Sequence, residues 1–191
     1  MGIFNIISAF GLSASTGLNA YIPLLVVALL AKYTSLIKLN SPWDAMTSWW
    51  VIGVLLFLSL IEFFADKIPA VNHINDIVQT FVRPTAGAIV FAASASNLTH
   101  VNPVLALIAG LLVSGGVHAV KSLAIRPLVT ATTGGAGNIP VSIAEDATST
   151  AVSVLSIILP VIAACLMVLI TTIIVTRLIF RPKKEIPADI K

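Results

Sequence analysis

The sequence predicts an all-α integral membrane domain with about five transmembrane helices. Three observations carry that reading. Hydrophobic residues make up 58% of the 191 positions and charged residues only 10%, whereas a soluble domain is nearer a quarter charged because it needs a polar shell. The mean hydropathy is +1.03. The apolar residues fall in five runs, about 3–31, 48–65, 74–96, 103–125 and 148–180, each near or above the ~20 residues that cross a bilayer.

The first run is too long for one upright helix and contains Gly17, Asn19 and Pro23. Either a kinked or tilted span or a broken helix with exposed backbone fits it. No basic segment precedes it, so it reads as a retained span rather than a cleaved signal. The second run holds Glu62 and ends in "DKIPAVNHIND", residues 66–76. A related phrase, "GNIPVSIAED", stands at 137–146. Aligning Ile68-Pro69 with Ile139-Pro140 makes spans two–three and four–five two helix-loop-helix units. They run the same way through the membrane, as in a parallel internal repeat. Asp76 (with Gln79) and Asp146 are expected to cap the helices that follow.

The third run contains Arg83-Pro84, a guanidinium well inside apolar sequence beside a proline that frees a backbone carbonyl. On the fourth, Ser114-Gly115-Gly116 reads as a close packing face, and His118 and Lys121 stand three apart. Helical spacing puts Glu62 with Asp66, and Asp76 with Arg83, on common faces. The expected result is a charged seam opposing acids to Arg83, His118 and Lys121, with His118 a candidate proton carrier because its ordinary pKa is about 6.5. The Asn19 break is expected to line the seam. So are Thr133, Gly134, Gly135 and Asn138 of the Gly-rich loop and the acidic pair Glu145-Asp146; such loops can cradle anions. The fifth run carries Pro160, a second expected kink or break, and the lone Cys165, read as packing.

A single transmembrane domain is thus expected over 1–180, with a basic cytoplasmic tail at 181–191. By the charge rule the N-terminus is then outside, the loop with Lys32 and Lys38 inside, and both quoted phrases outside; Lys67, Lys121 and Arg126 near that side pull against this orientation. No hydrolase, nucleotide-binding or metal-site pattern is present, so no cofactor, metal or catalytic residue is assigned. No basic stripe with interleaved aromatics suggests nucleic acid. The functional expectation is a small transporter or channel for an ion or small polar solute, with the Gly-rich loop leaning toward an anionic or zwitterionic one, in a homo-oligomer because five helices enclose little volume. Two alternatives stand beside it. One is a membrane enzyme acting on a lipid or phosphorylated lipid through Glu62, Asp76 and His118, with Arg83 and Lys121 on phosphate. The other is a non-catalytic scaffold.

The phrases "GLNAYIPLL", "FFADKIPAVNHINDIVQTFVRPTAGA" and "GGVHAVKSLAIRPLVTATTGGAGNIPVSIAED" resemble a small bacterial membrane family catalogued as domain of unknown function number 4126. The resemblance covers nearly the whole chain. It implies a compact helical membrane protein and carries over no activity, substrate or catalytic residue; the expected location is the bacterial inner membrane.

Overall fold

A computed structural model of the chain describes residues 2–96 and 101–179. The basic tail at 181–191 and the side chain of Cys165 lie outside the described residues. Among the described residues there is no strand. The helices are α1 (Gly2–Thr16), α2 (Tyr21–Tyr33), α3 (Trp49–Ala65), α4 (Pro69–Ala95), α5 (Pro103–Val120), α6 (Arg126–Thr133) and α7 (Asn138–Ile179). A 3₁₀ turn, Trp43–Thr47, precedes α3, and a π-turn, Lys121–Ile125, joins α5 to α6.

Local chemistry sets most boundaries. Ser48 caps α3 by accepting from the Val51 amide at 3.3 Å. Asn102 caps α5 by accepting from Val104 at 2.8 Å, just ahead of Pro103, a residue already bent for the first helical position. α4 likewise opens on Pro69 after extended Ile68. Here the structure corrects the expected caps. Asp76 stands about two turns inside α4 and Asp146 about two turns inside α7, so neither caps a helix. α7 also continues as a helix through Pro160 rather than breaking there.

The first apolar run reverses direction instead of crossing the bundle. Along α1, Phe10 meets Phe91 and the Ser13 hydroxyl lies 2.8 Å from the Gly110 carbonyl oxygen. Further on, the Gly17 carbonyl faces Arg83. α1 therefore runs antiparallel to α4. α2 runs back: its first residues meet Glu62, near the end of α3, while Tyr33 stacks edge-on against Trp49, at the start of α3. Trp43, between α2 and α3, packs against the cluster formed by Ala9, Phe91, Ala92, Ala95 and Ala106. The outer ends of α1 and α2 thus share one end of the bundle, and residues 17–20 form a hairpin tip. That tip is level with Glu62, about 20 Å along α3 from Trp49 at 1.5 Å per residue.

Small residues let the backbones close around the hairpin. A Cβ at Gly110 would collide with the Gly87 carbonyl oxygen and the Phe91 Cβ, so α4 and α5 meet backbone to backbone. On the far side of α1, the hydroxyls of Ser15 and Ser153 join at 2.9 Å.

The polarity is inverted relative to a water-soluble fold. Arg83 is fully buried while Phe81, two residues away, is 74% exposed, and Trp50 and Leu123 are exposed as well. An apolar surface around buried charge matches a hydrocarbon solvent. Among the described residues, three helices are long and apolar enough to cross a membrane: Ile74–Ala95, Pro103–Thr133 and Asn138–Pro160. α2 and α3 are shorter apolar helices.

Candidate functional site

A hairpin tip inside a bundle exposes unpaired amides at one helix start and unpaired carbonyls at one helix end, and each needs a partner. Every first-turn amide of α2 is accounted for. Ala20 donates to the Glu62 carboxylate at 3.2 Å, Tyr21 and Ile22 donate to Asn19 Oδ1 at 3.1 and 3.0 Å, and Pro23 has none to donate. On the α1 side, the Leu18 carbonyl accepts from Lys121 Nζ at 3.0 Å. The Gly17 carbonyl lies 3.5 Å from Arg83 Nη1, and the Ser15 carbonyl accepts from Ser149 at 3.0 Å. The signs match the helix dipoles: a carboxylate at the amino end of α2, cations at the carboxyl end of α1.

From the tip a charged network extends toward the turns at 66–68 and 134–137. Arg83 donates to Glu62 Oε1 at 2.9 Å and also lies 3.8 Å from Asp66 Oδ2. Its other arm reaches His118 Nδ1 at 3.2 Å. A guanidinium only donates, so Nδ1 accepts and the ring proton sits on Nε2. Nε2 in turn donates to Thr80 Oγ1 at 3.2 Å, and Thr80 donates to the Asp76 carbonyl at 2.8 Å. Both ring nitrogens are thus engaged, one by Arg83 and one by Thr80.

Two carboxylates are shared between cations. Asp66 Oδ2 lies 3.0 Å from Arg126, 3.8 Å from Arg83 and 4.0 Å from Lys121, while Oδ1 accepts from Asn75 at 2.7 Å. Glu145 Oε2 lies 2.7 Å from Lys121 and 3.2 Å from Arg126. Arg126 Nη1 also donates to both carboxylate oxygens of Asp76, at 3.1 and 3.0 Å. Asn19 Nδ2 donates to Asp146 at 2.9 Å, and Lys67 stands 3.6 Å from the other Asp146 oxygen.

The π-turn makes this convergence possible. Positions five apart on a straight α-helix diverge by roughly 140°. The Arg126 amide instead bonds the Lys121 carbonyl, and the extra residue per turn brings the two side chains back toward one face. Pro127 follows immediately and offers no amide to the regular ladder.

Side-chain exposure rises from 0% at Arg83 to 23% at Asp76, so the cluster opens toward the turn end. Toward the Trp49 end it is closed by the small-residue contacts and by the core of Leu12, Val27, Val90 and Ile157.

The structure brings together Asn19, Glu62, Asp66, Arg83, His118 and Lys121, with Asp76, Glu145 and Asp146 toward the opening. It leaves Thr133, Gly134, Gly135 and Asn138 outside. Thr133 ends α6, Gly134 terminates it with a φ of 61°, and the turn bonds to itself through Thr133 to Gly137 and Asn138 to Thr130. Sequence reasoning missed Arg126, although Arg126-Pro127 repeats the Arg83-Pro84 signal, and it missed Asn75.

Replacing Asn19 with Ala removes two cap bonds and the partner of Asp146. The expected cost is about 1–2 kcal/mol, read as a lower midpoint of thermal unfolding in detergent. Asn19→Asp keeps the cap but sets a carboxylate against Asp146, so it is expected to destabilise the fold as well. A cap-only role would leave Asn19→Asp at parental stability.

Fold and site define a helical, membrane-compatible protein with a charged cluster at an internal hairpin tip. The chain belongs to the family described as Domain of unknown function (DUF4126), whose model matches residues 6–179. Neither the curated proteins nor the solved structures contain a match to it.

Proposed function

We propose that the chain is an integral membrane transporter or channel for an ion or small polar solute, with the cluster at the hairpin tip as its path. The observation that supports this most is the hairpin itself. Non-helical backbone at mid-membrane depth is tolerated where protein or a water-lined cavity satisfies it, the arrangement of re-entrant loops and broken transporter helices. In this reading α1 and α2 enter and leave on one side, and α3, α4, α5 with its extension and α7 cross. Both termini then share a side with the loop holding Lys32 and Lys38. The basic tail makes that side cytoplasmic in a bacterial inner membrane. The pairs α3–α4 and α5–α7 are two units running the same way, as a parallel repeat requires. The carboxylates shared by several cations allow partners to be exchanged without leaving a charge alone, as a moving gate demands. A homo-oligomer supplies the enclosing surface that this few helices lack.

The test is flux in proteoliposomes across sodium, potassium, chloride, phosphate, methylammonium and glycerol. Protein-dependent flux of at least one is expected, cut tenfold or more by Glu145→Gln. That variant is isosteric and keeps an oxygen toward Lys121 and Arg126. No flux of any of these would remove the proposal.

A further inference from the structure

Resting on the transport reading, we propose that the open side of the cluster is a binding site for a primary ammonium group on a small organic solute. Three buried oxygens within one turn of α7 have no hydrogen-bond partner among the described residues: Ser142 Oγ, Glu145 Oε1 and Asp146 Oδ2. Their residues stand at i, i+3 and i+4, one helical face. Ser142 is 1% exposed and the Glu145 side chain 9%, so bulk water does not serve them, and an unmet buried acceptor carries a cost that a donor removes.

The charge points the same way. Glu62, Asp66, Asp76, Glu145 and Asp146 are five carboxylates, and Lys67, Arg83, Lys121 and Arg126 are four cations. With His118 neutral by its bonding, one negative charge is left over. An anion would compete with carboxylates for donors already engaged. This argues against the anionic side of the leaning toward an anionic or zwitterionic solute drawn from the Gly-rich loop, which stands outside the cluster, and is compatible with the zwitterionic side. Among the described residues no group of three or more His, Cys, Asp or Glu is placed to hold a metal ion. A primary ammonium offers three N–H donors, one for each unmet oxygen. Lys67 is the tethered rival: its own ammonium lies 3.6 Å from Asp146 Oδ2 and is held instead by the Phe63 carbonyl at 2.9 Å.

The test is calorimetric titration of the purified full chain with methylammonium chloride, with tetramethylammonium chloride as the cation that lacks N–H donors. Saturable methylammonium binding is expected, absent for tetramethylammonium, weakened at least tenfold by Glu145→Gln and tightened by Lys67→Ala. Equal response to both cations, or methylammonium binding indifferent to Glu145→Gln, would overturn the site. So would no methylammonium binding by a parental chain that carries flux; in that case transport stands without this site. Binding without flux of any solute would leave the site and remove transport.

Discussion

Arg83→Ala is expected to cost about 3–5 kcal/mol, the range for removing one partner of a buried ion pair. Glu62 would be left 1% exposed, still holding the Ala20 amide but with no cation within bonding distance among the described residues. The Gly17 carbonyl and His118 Nδ1 would lose a donor at the same time. The variant should express poorly and lose its monodisperse peak in detergent. The double variant Glu62→Leu/Arg83→Met should be more stable than Arg83→Ala, because removing both charges removes the stranded one. It should remain below the parent, because the hairpin amide and carbonyl stay unmet. A midpoint for Arg83→Ala within about 0.5 kcal/mol of the parent, the ordinary range for surface changes, would contradict this role. Loss of flux in Arg83→Ala would therefore speak of folding before it spoke of a pathway.

Arg126→Ala carries the second large effect. One guanidinium bridges Asp66, Asp76 and Glu145, so its removal takes the nearest cation from Asp66 and Asp76, leaving Asp66 to Arg83 and Lys121 at 3.8 and 4.0 Å and Glu145 to Lys121. The site is more open than that of Arg83, and water offsets part of the cost; about 2–4 kcal/mol is expected, toward and below the buried-pair range. Arg126→Lys should recover less than half of it, because a single ammonium lacks the planar fork that reaches three acids. Adding Asp76→Asn to Arg126→Ala should recover stability by relieving repulsion. Full recovery by lysine would show that charge alone matters and would contradict the bridging geometry. Both measurements are thermal melts followed by size exclusion.

Much of the site was legible in the sequence because lipid makes buried charge conspicuous. Glu62, Asp66, Arg83, His118 and Lys121 interrupt apolar runs at helical spacings, and they do meet. The hairpin was only half legible. Gly17, Asn19 and Pro23 mark a break, but a kink and a reversal use the same residues. The choice depends on partners such as Glu62 and Lys121, which lie far along the chain. Asp76 and Asp146 resembled caps because each stands at the start of an apolar run, but α4 opens at Pro69 and α7 at Asn138, where the backbone, not the hydropathy, sets the boundary. The π-turn left no hydropathy signature at all, and without it Arg126 points away from Lys121. The Gly-rich loop read as a lining because its composition suits one; it is a turn that closes on its own side chains.

Sidedness tests the hairpin most directly. In a Cys165→Ser background, single cysteines at Asn5, Leu36 and Gly135 would be labelled with an impermeant maleimide in sealed vesicles of known orientation. Asn5→Cys and Leu36→Cys are expected to react from the same side, and Gly135→Cys from the opposite one. Labelling of Asn5→Cys and Leu36→Cys from opposite sides would mean that the first apolar run crosses the membrane, and would contradict the re-entrant hairpin on which the proposed path is built.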